Sequence, residues 1–310
     1  MRNEPDSVRR RAYDVLRSAE VNTGLPAKNL RGLISMPPLS RSEGEVYDYQ
    51  VVATVADAVM ERRQYTNGIV NGFYSNARQG QRGEDTFEGG VKAMLMHGYS
   101  RDAISSLPSE ASMRFLGLGN VWHGVGAVHG KKVIDVGCGS GVDLGVAGFL
   151  SEHSAFVVGL DKRPDLLDVA ASACPEASFL IGDVTGLPLA ERTFDLVLAN
   201  GLPPLLRPTT LAATAQALHA LAVSGGTISA TILVASPTLT STLAAIFPTE
   251  GAAFAGGLAA LMSGKPTGQD VVAAFEQAGA SAMLRHGTNP YRDCATRQRT
   301  ALVNLTAIRR

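Results

Sequence analysis

The sequence predicts an α/β protein built on a doubly wound, mainly parallel sheet, and three observations carry that prediction. From Val133 onward, short apolar runs alternate with helical stretches over roughly a hundred residues, the rhythm of a sheet covered by helices on both faces. The first apolar run ends in a glycine-rich turn, VIDVGCGSGVD (133–143). Hydrophobic residues make up 45% of the 310-residue chain and charged residues 18%, which supplies a sizeable core and argues against long disorder.

The elements follow in order. Residues 5–35 read as an amphipathic helix with a Gly/Pro-punctuated link, with Val8, Tyr13, Val15, Leu16 and Ala19 at rough helical spacing. A second helix over 45–64 carries a stripe of Val51, Val52, Val55 and Val59. YTNGIVNGFYSNARQGQRGED (65–85) is rich in Gly, Asn and aromatics and reads as an irregular lobe or lid. Helices are expected near 88–97 and 101–106. Residues 1–90 thus form an N-terminal helical extension, and 91–310 the main domain.

In the main domain KKVIDVG is the first strand, 141–153 a helix and AFVVGLD the second strand. A helix over 163–174 leads to ASFLIGD, then FDLVLAN, then a helix over 211–223. Ser224-Gly225-Gly226 punctuates before a fifth strand, TISATILVA (227–235). Residues 236–266, small and apolar, interrupt the rhythm and read as an inserted helical cap. A helix over 269–279 and a late strand pair, SAMLRHGT and TALVNLTAIRR, close the sheet.

Lys+Arg 28 balances Asp+Glu 28, which argues against electrostatic capture of nucleic acid or an acidic membrane. Arg9, Arg10 and Arg11 read as a solvated helix face. Cys138, Cys174 and Cys294 show no metal-ligand spacing and no even disulfide set, which suits a reducing, cytoplasmic setting; no metal is expected. No run approaches the length of a membrane span, and the charged N-terminus has no apolar signal core behind it.

The glycine turn names its ligand by charge. In an open α/β sheet the ligand crevice lies at the carboxyl ends of the strands, and Gly137, Gly139 and Gly141 stand on the first strand-to-helix turn. Their spacing is G-x-G-x-G, not the G-x-G-x-x-G of dinucleotide sites. Asp135, two residues earlier, would repel a pyrophosphate and suits an ammonium or sulfonium. Asp161, ending the second strand, is placed to accept hydrogen bonds from ribose hydroxyls. Asp183, ending the third, is placed to meet an adenine amine, with Val184 against the ring. A cationic amino-acid end, a ribose and an adenine together make S-adenosylmethionine (SAM), with S-adenosylhomocysteine as the spent form.

Over roughly residues 120–235 the chain resembles the class I SAM-dependent methyltransferases, through VIDVGCGSG, VVGLDKRPDLL, FLIGDVTGLP and FDLVLAN in order. The resemblance implies a Rossmann-like, seven-stranded sheet. It also implies a cofactor site of Asp135, Gly137, Cys138, Gly139, Asp161, Lys162, Gly182, Asp183, Val184 and Asn200. The lead-in HGYSRDAISSLPSEASMRFLGLGN is similar to that of arsenite methyltransferase-like proteins, whose G-Y-S, L-P and G-C-G-N phrases align with Gly98-Tyr99-Ser100, Leu107-Pro108 and Gly117-Leu118-Gly119-Asn120. That family's chemistry needs thiolates for a soft metalloid. Here Leu118 stands in the G-C-G-N phrase, Gly201 follows Asn200 in place of a cysteine, and Leu261 precedes Met262-Ser263-Gly264 in the cap. Arsenite is therefore not the expected acceptor.

The acceptor pocket is expected between the ends of the fourth and fifth strands, beginning at Asn200-Gly201-Leu202-Pro203-Pro204, which is not the N-P-P-Y/F signature of base methylation. The lobe with Tyr65 and Tyr74, and the cap, supply a lining poor in charge. A neutral small organic acceptor, such as a specialised metabolite, follows. His123 is the first candidate for a general base and Tyr65 a second catalytic candidate; His97 and His286 rank lower. The same motifs also serve a SAM-binding enzyme that catalyses a cyclisation or elimination, or a non-catalytic partner protein. The N-terminal helices suit a homodimer interface.

Overall fold

The computed structural model describes residues 89–246 except 187, 188, 203, 204, 206 and 207, then 255, 256, 259, 263, 265–287 and 300–310. The helices expected over 5–35 and 45–64, the Tyr65–Tyr74 lobe, Cys294 and the expected homodimer interface lie outside the described residues.

Three short helices precede the sheet: α1 (Gly90–Met96), α2 (Arg101–Ser105) and α3 (Ser109–Met113). The Ser100 side chain starts α2 by accepting the Ala103 N–H at 3.1 Å, an N-cap for an otherwise unpaired donor. The third helix, inside a stretch with no helical spacing, was not expected from the sequence. It is held from outside, because Ser140 Oγ of the glycine turn donates to Ala111 O at 3.0 Å.

The sheet then builds as β1 (Lys132–Val136), α4 (Val142–Leu150), β2 (Phe156–Asp161), α5 (Pro164–Ala173), β3 (Ser178–Ile181), β4 (Phe194–Asn200), α6 (Pro208–Leu221) and β5 (Ala222–Ala235). After α7 (Pro237–Ile246), in the segment expected as a cap, come α8 (Gly268–Gln277), β6 (Ala280–Gly287) and β7 (Thr300–Arg309). Thr267 and Asp270 form a reciprocal capping box at the start of α8. Seven strands lie in the order β3-β2-β1-β4-β5-β7-β6. The first five are parallel, and β7 runs antiparallel between β5 and β6, which is the late strand pair that the sequence predicts. Chain direction across the sheet reverses between β1 and β4, so the crevice that receives ligands opens there.

Burial explains the apolar runs. All of β1 after Lys132 is buried, as expected for a central parallel strand covered on both faces. One face packs Ile134, Val136, Val197 and Ile228 against α6 and α8 through Leu218 and Phe275; the other packs Val133, Val157 and Leu198 with Leu144 of α4. One boundary differs from expectation. The Ser224-Gly225-Gly226 break lies inside β5, where the β4 register jumps between Phe194↔Ala222 and Leu196↔Thr227. These residues make a bulge and not an end, with Gly225 at φ +75°. At the far end of the chain, Arg309 Nη1 donates to the carbonyls of His219, Ala220 and Ala222 at 2.7, 3.1 and 2.9 Å, satisfying the end of α6.

Gly141 is the N-cap of α4 at φ +83°, and a Cβ there would stand 3.0 Å from Ala170 Cβ and 3.1 Å from its Cα. Gly141→Ala is expected to cost about 2 kcal/mol, from the left-handed backbone and the crowding of α5 together. Urea unfolding of the two proteins checks this. No helix among the described residues is long and apolar enough to cross a membrane.

Candidate functional site

The glycine turn after β1 is shaped by its neighbours as much as by its own glycines. The N–H groups of Gly137 and Cys138 both donate to Leu160 O of β2, at 2.7 and 3.0 Å. The N–H of Gly139 donates to Asp161 Oδ2 at 2.9 Å, and the N–H of Arg163 to Asp161 Oδ1 at 2.9 Å. Asp161 therefore anchors the turn and keeps lone pairs for another donor. Gly139 has φ +53° and no atom within 4 Å of where a Cβ would stand, so its backbone faces open space.

One cavity lies above this turn. The ten residues expected to hold a cofactor, Asp135, Gly137, Cys138, Gly139, Asp161, Lys162, Gly182, Asp183, Val184 and Asn200, all line it. Strand order sets them in a row. Asp183 follows β3, Asp161 ends β2, Asp135 and Gly137 belong to β1 and its turn, and Asn200 ends β4. Neighbouring strands are about 4.8 Å apart, so the row has the span of an extended nucleoside-bearing ligand.

Asp135 is the electrostatic centre of the cavity. It is 2% exposed, and its Oδ1 has no hydrogen-bond partner. Burial, then the charges of Asp143 and Asp161, push its carboxyl well above the usual carboxylate range. An orphaned acidic oxygen in a cavity floored by glycine backbone fits a ligand that brings a positive charge and donors. The residues present thus fit the amino-acid end of SAM. Burial, then the charges of Asp135 and Asp161, push the Cys138 thiol up, so it is held as an unreactive wall. Burial pushes Cys174 up to about 12. Among the described residues, no group of His, Cys, Asp and Glu is arranged to hold a metal ion.

Behind Asp135 lies a polar network that sequence reasoning missed. Asp143, in the first turn of α4 and buried, accepts from Tyr99 Oη at 2.7 Å, Trp122 Nε1 at 2.9 Å and Asn200 Nδ2 at 3.0 Å. Asn200 Nδ2 also donates to Gly119 O at 3.0 Å, and its Oδ1 accepts from Thr231 Oγ1 at 2.6 Å. Burial raises the Asp143 carboxyl, while the donors Asn200, Tyr99 and Trp122 act to lower it. Tyr99 is pushed up by burial and then by Asp143, so its phenol stays a donor. This network ties the G-Y-S phrase, the lead-in loop, the glycine turn and the end of β4 into one unit. The signal was present as Asp143 at the close of the quoted glycine motif and as Tyr99, but no spacing rule connects residues 44 positions apart.

His123 stands elsewhere. Its imidazole is exposed, lies 3.8 Å from where a Cβ on Gly98 would be, and is not part of the cavity lining. Trp122 turns inward to Asp143, which directs its neighbour outward. His97 is buried with an unpartnered Nε2, and burial lowers it to about 4, so it is neutral near pH 7. Tyr65 lies outside the described residues.

Two of the departures from the arsenite family meet in space. Gly201, at φ +70°, lies against Leu118, and a Cβ on Gly201 would stand 2.9 Å from Leu118 Cγ. Leu118, Leu233 and Leu302 form a buried apolar cluster. The leucine side chain occupies the space that a side chain at position 201 would need. Leu261, the third departure, lies outside the described residues.

Comparison with known proteins agrees with the geometry. Residues 133–226 match the family described as a methyltransferase domain. An uncharacterized methyltransferase of Synechocystis is 33% identical over 97 residues, 31% of this chain and 44% of that protein. The arsenite methyltransferase of Halobacterium salinarum is 28% identical over 108 residues, 33% of this chain and 27% of that protein. The chain thus spans less than half the length of either relative. The crystal structure of an arsenic(III) SAM methyltransferase from Chlamydomonas reinhardtii aligns with a TM-score of 0.49 and 22% identity, over 67% of this chain and 72% of that one. Residues 133–226 thus carry a methyltransferase domain, and the SAM motifs in and beside it converge on one cavity.

Proposed function

We propose that the protein transfers a methyl group from SAM to a neutral small organic acceptor. Asp135, buried and unpartnered in a glycine-floored cavity at the carboxyl ends of β1 and β4, carries the proposal. The donor supplies an electrophilic methyl on a sulfonium. The chain's part is to bind and align: Asp135 receives the cationic amino-acid end, Gly137 and Gly139 allow backbone approach, and Asp161 and Asp183 face the nucleoside. Asn200, fixed by Asp143 and Thr231, holds the wall toward the acceptor. In-line displacement depends above all on that alignment, and this reading assigns the described residues no proton transfer.

The acceptor reading rests on the β4 side of the cavity. Gly201 and Leu202 line it, with Leu118, Leu233 and Leu302 behind, and the chain has no net charge with which to gather a polyanion. Two buried free thiols, Cys138 and Cys174, suit a reducing cytoplasm. The test offers SAM with arsenite, with RNA and DNA, and with fractions of a metabolite extract, and follows S-adenosylhomocysteine together with methylated product. S-adenosylhomocysteine and a methylated organic product are expected only with the extract. Methylation confined to arsenite or to nucleic acid would sink the acceptor reading.

A further inference from the structure

Three buried carboxylates line one cavity, and they do not share hydrogen-bond donors equally. Asp143 accepts from Tyr99, Trp122 and Asn200, and Asp161 accepts from the N–H groups of Gly139 and Arg163. Those donors suit the charged form of both groups. Asp135 is buried within reach of both charges, and its Oδ1 has no partner. A third negative charge in the same space would lose its water and gain no donor on that oxygen. The other groups around it do not change that balance. Tyr99, Cys138 and Cys174 are all pushed up, first by burial, and stay neutral near pH 7. The cations of the described lining, Lys162 and Arg114, have interactions of their own. Asp183, after β3, lines the cavity but is exposed. The distribution of donors thus leaves the proton to Asp135.

We propose that Asp135 carries a proton in the ligand-free protein and releases it to solvent when the ligand's ammonium arrives, so that cofactor binding is linked to pH. This rests on the SAM-binding reading above. The charges balance: a neutral carboxyl and an ammonium come together, and a carboxylate–ammonium pair and one free proton result. The ammonium lowers the carboxyl in the complex relative to the free protein. Between those two values only the free protein holds the proton, so affinity rises with pH through that window and levels off above it. An ordinary amino group keeps its own proton up to about pH 8, so the ligand adds nothing to the count at lower pH.

The test is isothermal titration calorimetry on the full chain from about pH 5 to about pH 7, in paired buffers of different ionisation enthalpy, which counts the protons released. The ligands are SAM, S-adenosylhomocysteine and 5′-methylthioadenosine, which keeps the nucleoside and lacks the amino-acid end. SAM and S-adenosylhomocysteine should each release up to about one proton, with affinity rising by up to about tenfold per pH unit. For 5′-methylthioadenosine, which brings no cation, release should be nil and affinity should stay within about twofold. Asp135→Asn should bind SAM weakly and without release, while Asp183→Asn should keep the release. A second measurement needs no variant: the infrared band of a protonated carboxyl should vanish when S-adenosylhomocysteine is added to the unaltered protein. SAM bound without release anywhere in that range leaves the SAM reading standing and overturns this proposal. Equal release with 5′-methylthioadenosine, release with SAM alone, release that survives Asp135→Asn or is lost in Asp183→Asn, or a band that persists also overturns it. If the unaltered protein binds neither SAM nor S-adenosylhomocysteine, the SAM reading fails and takes this proposal with it.

Discussion

Asp135→Asn is expected to raise the melting temperature of the ligand-free protein while lowering its affinity for SAM roughly a hundredfold. The two effects have one cause. Asp135 is buried, its Oδ1 has no partner, and Asp143 and Asp161 crowd it with like charge. Asparagine keeps the shape and removes the charge, so the ligand-free fold gains about 1 kcal/mol, typical of relieving strain stored at a functional site. The same change takes from the ligand its buried counter-charge.

The pH dependence has a definite sign. The folded-state carboxyl is raised, so between the ordinary range near 4 and its raised value the folded chain binds more protons than the unfolded one. Its contribution to stability is therefore greatest at low pH and is lost as pH rises through that window. Asp135→Asn should flatten this part of the profile. Thermal melts across pH, with and without SAM, check both halves. A variant that loses stability and keeps its affinity would show that Asp135 is structural.

Asp143→Ala is expected to destabilise the fold by about 3 kcal/mol, because it removes the acceptor shared by three side-chain donors packed around it. Tyr99 O–H, Trp122 N–H and one Asn200 N–H would lose their acceptor together. Asn200 would keep Thr231 and Gly119 but lose its tie to α4. Binding should weaken as well, since Asn200 lines the cavity. Tyr99→Phe removes a single donor and leaves the carboxylate two others, so its cost should be about 1 kcal/mol. Urea unfolding of the two variants gives both numbers, and the near-ultraviolet dichroism of Trp122, the chain's single tryptophan, reports the network directly.

The row of residues proposed to hold the cofactor was legible because its members sit at the ends of consecutive strands. A parallel α/β sheet delivers every strand end to the same edge, so Asp135, Asp161, Asp183 and Asn200 converge without any long-range contact having to be known. Residue type then pointed to the ligand, since a carboxylate before the glycines would repel a pyrophosphate. The break at Ser224-Gly225-Gly226 misled for a local reason, since a bulge and a strand end use the same residues.

By itself, then, the sequence determined the sheet, the glycine turn and the absence of cysteines at 118 and 201. Only the tertiary structure decided which residues support them. Tyr99, Trp122, Asp143 and Asn200 come from four separate segments, and Leu118 fills the room beside Gly201 across 83 positions of chain. It also turned His123 outward and brought Arg114 to the cavity's edge. Periodicity and strand-end position are local properties that the order of residues carries directly. The pairing of a buried carboxylate with its donors is a meeting of distant segments, fixed only when the core closes and each buried polar group must find a partner.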